Sequence, residues 1–171
     1  MFERLNQKFC NLDYNELDEQ ISYGGMISYN HIEIKKGGVL YTLPMKYRQD
    51  FTVSLMKIND AVPPHTDSEI KCTINFYIKP ELCITKFYRP FKETESYQVP
   101  NQTNGKVYNK KDLICIGNFI AQPGDAWLLD VTQIHAVVPV FPIKERLAIS
   151  VCTDKHTYEE VKQMLHETGN L

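Results

Sequence analysis

From Cys72 to Ile78 the chain alternates without a break, with Cys72, Ile74, Phe76 and Ile78 on one side and Thr73, Asn75 and Tyr77 on the other. A period of two is the signature of extended chain with one face buried, and no helix satisfies it. The same alternation runs through Phe51 to Ile58, where Phe51, Val53 and Leu55 share a face. It returns from Arg146 to Thr153, where Leu147, Ile149 and Val151 oppose Arg146, Ala148 and Ser150. Met26 to Ile34, Val39 to Leu43, Leu82 to Tyr88, Leu113 to Ala121, Ala126 to Leu129 and Ile134 to Pro139 also read as strands, the fourth of these runs apolar enough to be buried. Tyr23-Gly24-Gly25, Gly37-Gly38 and Pro123-Gly124-Asp125 mark the turns. Phe2, Leu5, Phe9, Leu12 and Leu17 are spaced for a short helix over residues 1 to about 20. Thr157 to His166 is helical by composition, with Thr157 as N-cap and Glu159 and Glu160 in its first turn. Short strands with helices only at the ends predict a mainly β, double-sheet jelly roll with short N- and C-terminal helices.

The sequence has 171 residues, 43% of them hydrophobic, which suits one domain with a substantial core. Residues 1–50 read as support elements, 51–153 as the β core and 154–171 as the C-terminal helix. A net charge of −2 gives no whole-chain footprint for nucleic acid. Met1 to Cys10 carries charges where a signal peptide needs an apolar run, and no stretch is long and apolar enough to span a membrane. Cys10, Cys72, Cys83, Cys115 and Cys152 lie far apart with no Cys-x-x-Cys pair, the pattern of reduced core residues in a cytoplasmic protein.

His65 and Asp67 stand two positions apart in a stretch that reads as extended, so both side chains point to the same side. If no bulge intervenes, Thr73, Asn75 and Tyr77 share that side. A third imidazole from a distant strand, His135, would complete a two-histidine, one-carboxylate set of the kind that binds non-haem Fe(II) and leaves positions open for oxygen. His31, His156 and His166 have no partners at ligand spacing, and Trp127 reads as core packing.

His65-x-Asp67, Thr-Ile-Asn-Phe-Tyr-Ile over residues 73–78, Thr85-Lys86-Phe87, Pro-Gly-Asp-Ala over residues 123–126, His135 and Arg146 occur in an order and spacing that resembles the Fe(II)- and 2-oxoglutarate-dependent dioxygenases, in their prolyl-hydroxylase-like branch. The resemblance covers roughly residues 50–153 and implies a double-stranded β-helix, the cupin-like form of the jelly roll. It implies His65, Asp67 and His135 as metal ligands and catalytic centre. Arg146 would bind the distal carboxylate of 2-oxoglutarate, for which a planar guanidinium fork is suited. Tyr77 would be a second donor to that carboxylate, with Asn75, Thr73 and Thr85 lining the pocket. Many members carry serine two positions after the arginine; here that position is Ala148 and the first serine is Ser150. The implied reaction consumes molecular oxygen and converts 2-oxoglutarate to succinate and carbon dioxide while oxidising a primary substrate, usually by hydroxylation. Retention of Asp67 fits hydroxylation rather than halogenation, in which a small residue replaces the carboxylate.

Small molecules, protein side chains and nucleobases all stay open as the primary substrate. The rival readings are a non-redox cupin-like binding protein and a cupin-type isomerase or hydrolase using another metal. The polar, aperiodic segment from Lys92 to Asp112 reads as a long loop or hairpin excursion, a candidate lid over the substrate with Tyr97 and Tyr108 as contacts and Asn104-Gly105 as a bend. On that reading, replacing residues 95–109 leaves metal binding intact.

Overall fold

The computed structural model describes residues 1–9, 11–23, 26–36, 38–98, 105–142 and 144–171. In chain order the strands are β1 (Phe2–Arg4), β2 (Asp13–Tyr23), β3 (Ile27–Lys36), β4 (Thr52–Ile58), β5 (Val62–Asp67), β6 (Cys72–Lys79), β7 (Cys83–Pro90), β8 (Ser96–Tyr97), β9 (Gly105–Tyr108), β10 (Leu113–Phe119), β11 (Ala126–Leu129), β12 (His135–Pro139) and β13 (Arg146–Thr153). They form two antiparallel sheets, ordered β1-β11-β6-β13-β4-β3-β2 and β10-β7-β12-β5-β9-β8. The chain changes sheet at every step from β4 to β7, and again from β10 to β13. The protein is thus mainly β, and among the described residues no helix is long and apolar enough to cross a membrane.

The alternation in β6 and β13 explains how one sheet serves two purposes. Cys72, Ile74 and Phe76 pack with Leu55, Ile149 and Val151 against Val161, Met164 and Leu165 of α1 (Tyr158–Glu167), the one α-helix among the described residues. Each fully buried aliphatic side chain there stabilises by about 1.5–3 kcal/mol. The opposite face of the same strands joins Tyr77 and Ala148 to Met56, Ile58, Phe87 and Val137 between the two sheets. One face therefore builds the core and the other lines the interior. Helix α1 starts as its sequence dictates, with a capping box in which the Thr157 hydroxyl accepts from the Glu160 amide and the Glu160 carboxylate accepts from the Thr157 amide.

Three expectations are corrected. The first twenty residues form no helix among the described positions but contribute β1 and the start of β2. Phe2 packs against Phe87, Phe119 and Trp127 with ring centroids 5.1, 5.1 and 5.8 Å away, and Asn11 takes a φ of 60°, which a helix does not allow. Tertiary burial thus overrides helical spacing. Val39–Thr42 is a 3-10 turn rather than a strand, because the Thr42 hydroxyl donates to Val39 O at 2.7 Å while Val39 and Leu43 are both fully buried. Strand β10 is largely exposed, since it lies at the edge of its sheet; Ile114 and Ile116 face solvent. Cys115 on it is exposed too, whereas Cys72 and Cys83 are buried; all four described cysteines are free. Cys10, Gly24, Gly25, Gly37, Pro100 and Asn104 lie outside the described residues.

Candidate metal centre

His65 and Asp67 end β5, and β12 pairs antiparallel with it so that His135 stands directly across from His65. The ligand atoms of His65, Asp67 and His135 all lie within 4.8 Å of one another, the one such group of His, Cys, Asp or Glu side chains among the described residues. His65 Nδ1 is 2.8 Å from Pro63 O, and His135 Nδ1 is 2.9 Å from Gln133 O. A carbonyl only accepts, so each Nδ1 carries the proton and each Nε2 keeps a free lone pair. The two rings sit with centroids 4.3 Å apart, and Phe87 stacks on His135 at 5.8 Å. His65 Nε2 is 3.5 Å from Asp67 Oδ1.

Electrostatics favour a cation here. Burial, reinforced by neighbouring His135 and opposed by Asp67, pushes the His65 pKa down to about 4. Burial likewise lowers that of His135. Burial raises that of Asp67, partly offset by His65. Two neutral imidazoles and a half-buried carboxylate in a poorly solvated site form a donor set that a divalent ion satisfies, and nitrogen with hard oxygen suits Fe(II) among others. These residues fit such an ion by geometry, tautomer and charge together.

Arg146 opens β13 on the cavity face and is 1% exposed. Its Nη2 donates to Thr85 Oγ1 at 3.1 Å, and its Cζ lies 4.8 Å from the Tyr77 ring centroid. Nε and Nη1 are buried with no hydrogen-bond partner, and no acid pairs with the guanidinium among the described residues. An unpaired buried charge is costly, so the arrangement calls for an anion supplied from outside the chain. Thr85 pairs with Val137, and Val137 follows His135 by one strand repeat on the same face. The cation and the histidine row are thus offset by about 7 Å along the strands.

The eight residues that the sequence suggested for the metal and cosubstrate sites line one cavity of about 230 Å³: His65, Asp67, His135, Arg146, Tyr77, Asn75, Thr73 and Thr85; Tyr97 and Tyr108, the candidate lid contacts, are not among its lining residues. Asn75 pairs with Ser150, four residues beyond Arg146 on β13, so it stands toward the other end of the cavity. Position 148 is Ala148, and the hydroxyl that accepts from Arg146 comes from the opposite sheet, on Thr85. Sequence reasoning missed Cys152, although alternation from Arg146 points to it, and missed Ile27 and Tyr29 of β3, which reach the cavity from outside the expected core. His156 instead contacts Asp50 at 3.0 Å, and His166 contacts Leu171 O at 3.0 Å. Trp127 stacks on Phe119 at 4.0 Å, as core packing requires. No model of a known protein family matches the chain, and no curated protein matches it.

Proposed function

We propose that the protein is an Fe(II)- and 2-oxoglutarate-dependent dioxygenase that hydroxylates a primary substrate. The observation that carries the reading is the guanidinium of Arg146, buried without an acid about one strand repeat from a neutral-histidine and carboxylate cluster. A short dicarboxylate with a 2-oxo acid at one end would bridge these two points. The alternation of consecutive strands between the sheets supports a double-stranded β-helix of the jelly-roll type.

The chain's own residues would act as follows. His65, Asp67 and His135 would hold Fe(II) on one side, with the backbone carbonyls of Pro63 and Gln133 fixing the tautomer of both imidazoles. Arg146 would take the distal carboxylate of 2-oxoglutarate through the nitrogens that lack a partner, and Thr85 would fix the guanidinium plane. The Tyr77 hydroxyl, from the same cavity wall, would be the second donor. Bound at the triad, Fe(II) would supply the open coordination positions and redox chemistry for reducing oxygen. In the net reaction one atom of O₂ enters succinate and the other enters the substrate as a hydroxyl, while carbon dioxide leaves. Two electrons come from 2-oxoglutarate and two from the substrate C–H bond.

A non-redox cupin-like binder, or a cupin-type isomerase or hydrolase, needs no buried cation for a 2-oxo acid. Anaerobic titration with Fe(II) and then 2-oxoglutarate separates these readings. The expected result is a weak visible band near about 500 nm that requires both components. His135→Ala should abolish it together with metal binding. Iron binding without any spectral or calorimetric response to 2-oxoglutarate would overturn the proposal.

A further inference from the structure

Beyond the metal cluster and Arg146, the cavity wall is built from small uncharged polar groups. Ser54 of β4, Ser150 and Cys152 of β13, and Thr73 and Asn75 of β6 are lateral neighbours, because Ser150 pairs with both Ser54 and Asn75 while Cys152 pairs with Thr73. Ser150 Oγ is 3.0 Å from Thr73 Oγ1 and 3.2 Å from Cys152 Sγ, and Thr73 Oγ1 donates to Asn75 Oδ1 at 3.3 Å. Ser150 is 2% exposed, and Ser54 beside it is buried as well. Ser150 follows Arg146 by four residues on one face, about 13 Å along the strand. This polar wall therefore lies well beyond the cation along β13.

The charge inventory is equally informative. Apart from the two histidines, Asp67 and Arg146 are the only acid and base of a kind charged at neutral pH among the described side chains that line the cavity. Once a metal takes Asp67 and a dicarboxylate takes Arg146, no counter-charge is left for a further ligand. Burying an unpaired ammonium or carboxylate beside this wall would be strongly disfavoured, whereas hydroxyls can rotate to donate or accept for a neutral group. The space is also limited. Ligand pockets usually start near about 300 Å³, so a cavity of about 230 Å³ that must also hold a dicarboxylate admits only a small group.

We infer that the part of the primary substrate admitted to the cavity is small, uncharged and hydrogen-bonding, an amide-like group held by the hydroxyls of Ser54, Ser150 and Thr73. The inference rests on the dioxygenase reading, because a metal on Asp67 and a dicarboxylate on Arg146 are what leave the wall without a counter-charge. The test uses the ¹⁵N-labelled full chain loaded with Zn(II) and saturating 2-oxoglutarate, titrated with propionamide, propionate or propylammonium, three probes of similar size. Propionamide should shift the backbone amide signals of Thr73 and Ser150 and bind at least tenfold tighter than either ion. Ser150→Ala and Ser54→Ala, each checked by a cooperative thermal melt, should each weaken propionamide about fivefold, as loss of one hydrogen bond does. Tighter binding of either ion, or unchanged propionamide affinity in both variants, would overturn the inference. If 2-oxoglutarate itself fails to bind, the dioxygenase reading falls and propionate is free to reach Arg146, an outcome recognised because Arg146→Met abolishes it. The comparison of propionamide with propylammonium still decides the neutral wall in that case.

Discussion

At Arg146 the chain keeps a guanidinium in its interior with one hydrogen bond, to Thr85, and two nitrogens unsatisfied. Such a group has no stability rationale, since a buried charge lacking a counter-ion is less favourable than an apolar side chain of similar volume. Arg146→Met should therefore leave the melting temperature of the ligand-free protein unchanged or raise it. The same variant should lose the thermal shift produced by 2-oxoglutarate, which for a ligand at a hundred times its Kd corresponds to about 2.7 kcal/mol in the wild type. A clear drop in the ligand-free melting temperature would mean that Arg146 has a structural role after all. The local part of this site was legible in the sequence. His65 and Asp67 share a side because they are two apart on extended chain, and Arg146 faces inward with Ser150 for the same reason. Thr85 as the partner of Arg146 was not legible as a contact, because it depends on how two sheets face each other and no period in either strand encodes that. The role of Ser54 beside Ser150 was hidden likewise, being a matter of register between β4 and β13.

Among the elements, β9 has a pairing that its sequence does not announce. A four-residue strand, Gly-Lys-Val-Tyr, is too short for alternation to be recognised, and the polar residues around it read only as a long loop or hairpin excursion, of which β8 and β9 form the hairpin. Yet β9 pairs with the ligand strand itself, setting Val107 opposite His65 and Gly105 opposite Asp67. Its partner β8 contributes only Ser96 and Tyr97, and Tyr97 is exposed. The segment is thus part of the metal-bearing sheet as well as an excursion from it, and excising residues 95–109 would strip the outer neighbour from β5. Gly105 makes the pairing possible, because a Cβ there would lie 1.6 Å from Thr66 O, a backbone atom that cannot move aside alone. Gly105→Val should destabilise the protein by about 1–3 kcal/mol, the usual cost of overpacking. It should also weaken divalent-metal binding and speed amide exchange along β5. Wild-type metal affinity and exchange in Gly105→Val would show that β9 does not hold the ligand strand. Where a segment is long and strictly alternating, as in β6 and β13, sequence and structure agree; where it is short, at an edge or captured by distant aromatic side chains, as in β9, β10 and β1, they part.

Across the whole molecule, the sheet that lines the cavity is also tied together outside it. Strands β4 and β13 lie side by side at the centre of the larger sheet, with Thr52 opposite Cys152 at the end of their ladder. Just beyond that pair, Asp50 meets Lys155 at 2.7 Å and His156 at 3.0 Å, so the contact joins the approach to β4 with the exit from β13 ahead of α1. The hydrogen bond from Lys155 and then that from His156 hold the Asp50 carboxyl below its ordinary value of 3.8. A carboxyl whose pKa is depressed on folding stabilises the fold above its unfolded value, and that contribution is lost as pH falls through the folded value. Asp50→Asn should therefore melt below the wild type at pH 7 and low ionic strength. The gap should close as the pH is lowered through and beneath the ordinary carboxylate range, and should narrow in 1 M salt because such surface pairs are screened. Thermal melts of both proteins across pH and salt provide the check. Identical melting at pH 7 in dilute buffer would show that this clamp does nothing for the central ladder, leaving backbone pairing and the apolar face under α1 to hold β4 against β13.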